Sequence, residues 1–134
     1  LVGSEMCIRD SYTIDVDQTF DLSSIMIPPL LIQPLVENSI KHGILPLKNR
    51  NGEIVVRIYE RADILYIEVR DNGVGLEGAK NTNNEGHESF GLENIRKRIE
   101  KLSMIQNKKI TLEIGEQRDW SSSQWTVVTI SMHL

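Results

Sequence analysis

A chain of 134 residues, 40% apolar and 25% charged, amounts to about one domain with enough apolar side chains for a real core. Its net charge of -4 argues against a general nucleic-acid binder, because phosphate backbones are held largely by clustered Lys and Arg. No apolar run approaches the roughly 18 residues that span a bilayer, so the chain reads as soluble; its single cysteine, Cys7, allows neither an internal disulfide nor a thiolate metal cluster, which fits a reducing compartment.

Residues 1–11 have no clear period and lack the apolar stretch of a secretory signal. The run from Met6 to Ser11 resembles translated adapter sequence, and this segment is set apart as an atypical N-terminal piece and a candidate artefact. The domain is expected over residues 12–134. Tyr12 to Asp17 alternates apolar and polar, as a half-buried strand does. A helix is expected from about Leu30 to Ile44, with Gly43 as its stop and Pro34 either in its first turn or kinking it. Ile32, Leu35, Val36, Ser39 and Ile40 would face the sheet. Ile54 to Tyr59 and Leu65 to Val69 form two alternating runs joined by a turn at Arg61-Ala62-Asp63, a hairpin pattern. A polar, Asn-rich loop leads to a helix from Phe90 or Gly91 to Met104, with Leu92, Ile95, Ile99 and Leu102 at helical spacing. Strands over Lys109 to Ile114 and Gln124 to Met132 close the chain. The expected architecture is a two-layer α/β sandwich, a mixed sheet of about five strands covered by helices on one face.

Three short segments carry the chemistry. On the first helix, Asn38, Lys41 and His42 stand three and four residues apart, so an amide oxygen, an ammonium and an imidazole share one face. That set suits a metal-bound polyphosphate, the oxygen ligating Mg²⁺ and the cation neutralising phosphate; a solvated face with a Glu37–Lys41 pair is the plain alternative. Asp71-Asn72-Gly73-Val74-Gly75 follows a strand, where Asp71 can accept a hydrogen bond from the amino group of a base and the two glycines let backbone approach the ring. Gly91-Leu92 opens a helix after a loop and offers free N–H groups and a positive dipole end to an anion.

In this order and spacing the segments outline an ATP site, and the chain resembles the catalytic ATP-binding domain of LytS/YesM-type sensor histidine kinases. Their superfamily, shared with gyrase and MutL, has the Bergerat fold. The run Ile27 to Asn38 is close to a family signature. The resemblance implies that Asn38 ligates Mg²⁺, that Lys41 and His42 lie near the phosphates and that Asp71 reads the adenine amino group. It also implies that Gly73 and Gly75 form the turn beneath the base, that the Gly91-Leu92 backbone meets the phosphates, that Thr126 holds the adenine edge, and that Leu76 to Phe90 is the ATP lid. The implied reaction donates the γ-phosphoryl group of ATP to a histidine on an upstream dimerisation domain, with a response regulator as the next acceptor. The implied parent is a bacterial inner-membrane homodimer carrying this domain on its cytoplasmic side.

Departures from the family pattern bear on that reading. Pro34 stands where ATP-hydrolysing members carry a water-activating glutamate, which favours a kinase over an ATPase. His87 and Ser89 occupy positions where lid glycines often stand, and Trp125 replaces a usual glycine before Thr126. None of His42, His87 and His133 lies in a pattern resembling a phosphoacceptor helix, and Arg96 and Arg98 fit a solvated helix face better than a phosphate contact. Two alternatives stand beside the kinase domain: a stand-alone anti-sigma-type serine kinase, against which the missing initiating Met counts, and a non-catalytic nucleotide-gated interaction module.

Overall fold

The computed structural model describes residues 11–16, 31–48, 50–76 and 90–134. In chain order they form β1 (Ser11–Val16), α1 (Ile32–Ser39), a π-helical turn (Ile40–Ile44), β2 (Glu53–Arg61), β3 (Ile64–Asp71), α2 (Phe90–Gln106), β4 (Ile110–Arg118) and β5 (Gln124–His133). The strands make one five-stranded sheet in the order β1-β2-β3-β5-β4. β1 runs parallel to β2 and every other pairing is antiparallel, so the sheet is mixed as expected.

Alternation decides which side of the sheet is covered. Val56, Val69, Val128 and Ile114 stand opposite one another across the four antiparallel strands, as do Ile58, Ile67, Ile130 and Leu112. All but Ile114, which packs against it partly buried, join one buried cluster with Leu31, Leu35 and Ile44 from the first helical segment and Leu92, Ile95 and Ile99 from α2. Both helical segments therefore pack on the same sheet face. Residues of the other parity, among them Arg57, Tyr59, Tyr66, Glu68, Arg70 and Trp125, point to the opposite side, where Tyr59 and Tyr66 stack with centroids 5.0 Å apart. Tyr59 donates its hydroxyl to Glu68 at 2.6 Å; burial and that bond push the phenol up to about 12.

Local chemistry sets the element ends. Pro34 is the third residue of α1, inside the first turn, where its missing N–H would have had no intrahelical partner, so it causes no kink. The β2–β3 hairpin turns on Ala62 and Asp63, both at positive φ (53° and 60°), the twist that lets a two-residue turn join antiparallel strands. Helix α2 stops at Asn107 in the left-handed region, with Lys108 N donating to Ser103 O and Asn107 N to Met104 O, which satisfies carbonyls the helix leaves unpaired. Arg96 reaches the sheet, its Nη1 donating to Leu112 O at 3.3 Å, while Arg98 is exposed.

Gly43 does not end the first helix. After Ser39 the helix widens so that its hydrogen bond spans five residues instead of four, Leu45 N donating to Ile40 O at 2.9 Å, and Gly43 is buried inside the widened turn. Its lack of a side chain serves a contact with the sheet, not a stop.

Two isoleucines of α2 separate packing from helix propensity: Ile95 is 1% exposed and Ile105 80% exposed. Ile95→Ala is expected to cost about 2–5 kcal/mol of unfolding free energy and Ile105→Ala to stay within about 0.5 kcal/mol. Urea denaturation of the two variants checks this.

Candidate functional site

The end of β3, the π-helical turn and the start of β5 meet at one edge of the covered sheet face. Asp71, the last residue of β3, stands opposite Ile54 of β2 on one side and Thr126 of β5 on the other, and Thr126 in turn stands opposite Glu116 of β4. These four residues extend the apolar rows by one rank, so Asp71 faces the same way as the core. It is 3% exposed. A carboxylate there loses water on all sides, and burial pushes its pKa above the ordinary value of 3.8. The backbone N–H of Gly73, at 3.0 Å from Oδ1, and the Ser39 hydroxyl donate to it and hold the rise back.

The backbone of two segments passes almost in contact beside this carboxylate. A Cβ on Gly43 would lie 2.4 Å from Asp71 Oδ1, and one on Gly73 would lie 2.1 Å from the carbonyl oxygen of Gly43. Both positions need glycine for this close approach rather than for backbone angles. Val74 N donates to that same Gly43 oxygen at 3.0 Å, which ties the π turn to the Asp71–Gly75 loop. Gly75 differs, since its φ of +77° is itself the reason for glycine.

Polar clamps fix the rest of the loop. Asn72 Oδ1 accepts from Glu53 N at 2.6 Å while Asn72 N donates to Glu53 O, so the loop's first residue is pinned to the edge of β2. Arg50 Nη2 donates to the carbonyl oxygens of Asn72 and Gly73. On the far side Leu76 N donates to Glu116 Oε1 at 2.9 Å.

Asn38 near the end of α1 and His42 in the π turn are half-buried, and Lys41 beside His42 is exposed. Burial, then the Lys41 charge, lower the His42 pKa from 6.5, so its imidazole is neutral at pH 7. π-helical widening of this kind is frequent at functional sites. Gly91 and Leu92 lie in the first turn of α2, with the Leu92 side chain buried in the core. Of the segment expected as a lid, residues 77–89 lie outside the described residues, as does Ile27 to Leu30 of the signature run.

Trp125 does not crowd Thr126. Successive strand residues face opposite sides, and Trp125 donates its indole N–H to Asp119 Oδ2 at 3.0 Å while Arg70 lies over its ring at 5.8 Å. Asp119 also accepts from the hydroxyl of Ser121 and from the backbone N–H groups of Ser121 and Ser123; the Ser121 and Trp125 bonds chiefly hold its carboxyl at about 2.

Sequence reasoning placed Ser39 on the sheet-facing side but gave it no chemistry, and it left out Arg50, Glu116 and Gln124. Ser39 had a signal: one hydroxyl among apolar residues at buried helical spacing requires a partner. Arg50, Glu116 and Gln124 had none, because their contacts join segments 22 to 40 residues apart or lie on exposed strand ends.

The model of histidine kinase-, DNA gyrase B-, and HSP90-like ATPases matches residues 29–134. The sensor protein LytS of Staphylococcus saprophyticus is 35% identical over 103 residues, covering 70% of this chain and 17% of its own length. The sensor histidine kinase YesM of Bacillus subtilis is 34% identical over 68% of this chain and 15% of its own length. The chain thus spans under a fifth of these curated relatives. Among solved structures, the mycobacterial sensor histidine kinase MprB superposes with a TM-score of 0.61 at 14% identity, over 96% of this chain and 84% of that one. The histidine kinase domain of an Erythrobacter litoralis blue-light activated histidine kinase gives 0.57 at 18% identity, over 93% of this chain and 55% of that one. At these identities the structures show a shared fold.

Gly73→Ala is expected to destabilise the protein by about 1–3 kcal/mol through overpacking against Gly43, whereas Gly115→Ala, whose Cβ would meet nothing within 4 Å, is expected to change stability by under about 1 kcal/mol. Thermal unfolding of both variants decides it.

Asp71 makes a pH signature. Its pKa is higher folded than unfolded, so the folded state binds the extra proton and the parent loses stability as pH rises from the ordinary carboxylate range through the elevated value. Asp71→Asn removes that loss: its stability relative to the parent is expected to rise across this window and level off above it. Urea midpoints measured from pH 4 to pH 8 test the sign.

Proposed function

The chain belongs to the histidine kinase-, DNA gyrase B- and HSP90-like ATPase family, and from that premise we propose that it is the catalytic ATP-binding domain of a two-component sensor histidine kinase of the LytS/YesM kind. The observation that carries the site assignment is Asp71, a carboxylate buried at the end of β3, ranked beside Thr126 and bordered by two glycines at closest backbone approach. A buried carboxylate at a strand end, with glycine backbone rather than side chains beside it, suits an acceptor for an amino group. Adenine offers one there, and guanine presents a carbonyl instead.

In this reading Asp71 accepts from the adenine amino group, Thr126 holds the base edge, and Gly73 and Gly75 form the turn beneath the ring. Lys41 meets phosphate charge, His42 acts as a neutral hydrogen-bonding group, and the Gly91-Leu92 N–H groups at the start of α2 face the phosphates. Asn38 supplies an oxygen for Mg²⁺. The donor fits that ion: a half-buried amide oxygen is a hard ligand, and Mg²⁺ characteristically completes its shell with substrate phosphates and water. When bound, Mg²⁺ neutralises charge on the transferring phosphoryl group. Pro34 in the first turn of α1 leaves no water-activating carboxylate at that position, which supports transfer to a protein acceptor over hydrolysis.

The acceptor is a histidine on a dimerisation domain in the remainder of a longer protein, with a response regulator downstream and a membrane-bound homodimer as the parent. In this reading the domain lies on the cytoplasmic side of that membrane; no described helix is long and apolar enough to cross a membrane.

Calorimetry with Mg²⁺-ATP is the test. The parent is expected to bind ATP and to bind GTP poorly, and Asp71→Asn to lose about 10- to 100-fold in ATP affinity, the worth of a charge-assisted hydrogen bond. Asn38→Ala is expected to reduce phosphoryl transfer to a supplied acceptor domain far more than it reduces metal-free nucleotide affinity. Equal affinity for ATP and GTP would sink the base-pocket assignment, and parent-level transfer by Asn38→Ala would remove the metal role.

A further inference from the structure

Beyond the base and phosphate contacts, the rank of residues at the site edge has an outermost member, Glu116. It stands opposite Thr126, as Thr126 stands opposite Asp71. Its two oxygens are both engaged. Oε1 accepts from Leu76 N at 2.9 Å, and Oε2 accepts from the side-chain amide of Gln124. A Cβ on Gly75 would lie 3.3 Å from the same Oε1, so the carboxylate also borders the one glycine of the loop held at positive φ.

We propose that Glu116, oriented by Gln124, is a positioning residue that fixes the exit of the Asp71–Gly75 loop and thereby sets its affinity for nucleotide. This role rests on the nucleotide reading of that loop. The loop's entry is already fixed: Asn72 is bonded to Glu53 through both its N–H and its side chain, and Arg50 holds the carbonyls of Asn72 and Gly73. The Val74 N–H goes to Gly43. Gly75 has φ +77° and thus the backbone freedom to leave this path, and the bond from Leu76 to Glu116 is what holds the residue after it. A charged acceptor makes a stronger bond to an N–H than a neutral one does, and the Gln124 amide occupies the second oxygen so that the carboxylate keeps a single orientation. Ordering the loop before ligand arrives removes an entropy cost from binding.

The test uses the whole chain and the variants Glu116→Ala, Glu116→Gln and Gln124→Ala. Glu116→Ala is expected to weaken Mg²⁺-ATP binding by about tenfold in calorimetry, with the melting temperature of the ligand-free protein unchanged and faster hydrogen exchange at the Leu76 amide. Glu116→Gln keeps an oxygen for Leu76 and is expected to recover most of the affinity; Gln124→Ala is expected to add nothing to the loss in a Glu116→Ala background. Parent-level affinity in Glu116→Ala overturns this proposal and leaves the nucleotide reading standing. A lowered melting temperature with unaltered affinity also overturns it, since that is a purely structural role. A parent that binds no nucleotide overturns the nucleotide reading itself, and the function assigned to Glu116 with it.

Discussion

The close passage of the π-helical turn over the end of β3 is the constraint from which the site follows. Gly43 and Gly73 bring two stretches of backbone to a distance that no side chain permits, and the Asp71 carboxylate fills the space left between them and Ser39. Had the first helix stayed α-helical, residues after Ser39 would have been rotated and the Gly43 carbonyl would not receive Val74 N in the same way. The widening is thus the step that brings the helical segment against the Asp71 carboxylate as one wall of the site. It costs helical regularity, and the junction between the turn and the loop after β3 recovers part of that through the Val74 N–H to Gly43 bond.

The sheet supplies the other wall with little special machinery. Strand alternation puts Ile54, Asp71, Thr126 and Glu116 in one rank facing the same way as the valines and isoleucines beneath the helices. The core therefore runs straight into the site, and polarity rises only in its last rank. Packing under the helices fixes the position of Asp71 to within what a well-packed interior allows. Trp125, the residue before Thr126, leaves this rank intact, because the indole belongs to the opposite face and is held there by Asp119.

Much of this was legible in the residues. Helix and strand existence followed from periodicity, the covered face from alternation, and the ATP-site resemblance from three short segments in order. Strand ends were read short: β2, β3 and β4 run past Tyr59, Val69 and Ile114, since the added residues are polar or charged yet still paired. Gly43 was misread for a physical reason. A glycine near the end of a helical pattern signals a cap by local chemistry alone, whereas here its purpose lies 28 positions further along, at Asp71. The same limit hid Arg50, whose partners are backbone carbonyls, and Glu116, which accepts from the Leu76 N–H. A backbone N–H or carbonyl leaves no mark in sequence that says who will bind it.

The electrostatics of the site explain why stability and recognition pull apart at one residue. Asp71 is buried where an ionised carboxylate is disfavoured, and the donors Gly73 and Ser39 offset that cost only in part. A fold optimised for stability alone would place an amide or an apolar side chain there, continuing the rank from Ile54. In the proposed reading an incoming amino group adds a further donor to this carboxylate and offsets more of that cost. Lys41 and His42 follow the opposite course on the helical wall: the exposed ammonium keeps its charge available to solvent or phosphate, while the half-buried imidazole is held neutral by burial and by that same charge. In the proposed reading the base meets the buried Asp71 carboxylate and the phosphates meet the Lys41 charge, an asymmetry that would orient a nucleotide before any metal is bound.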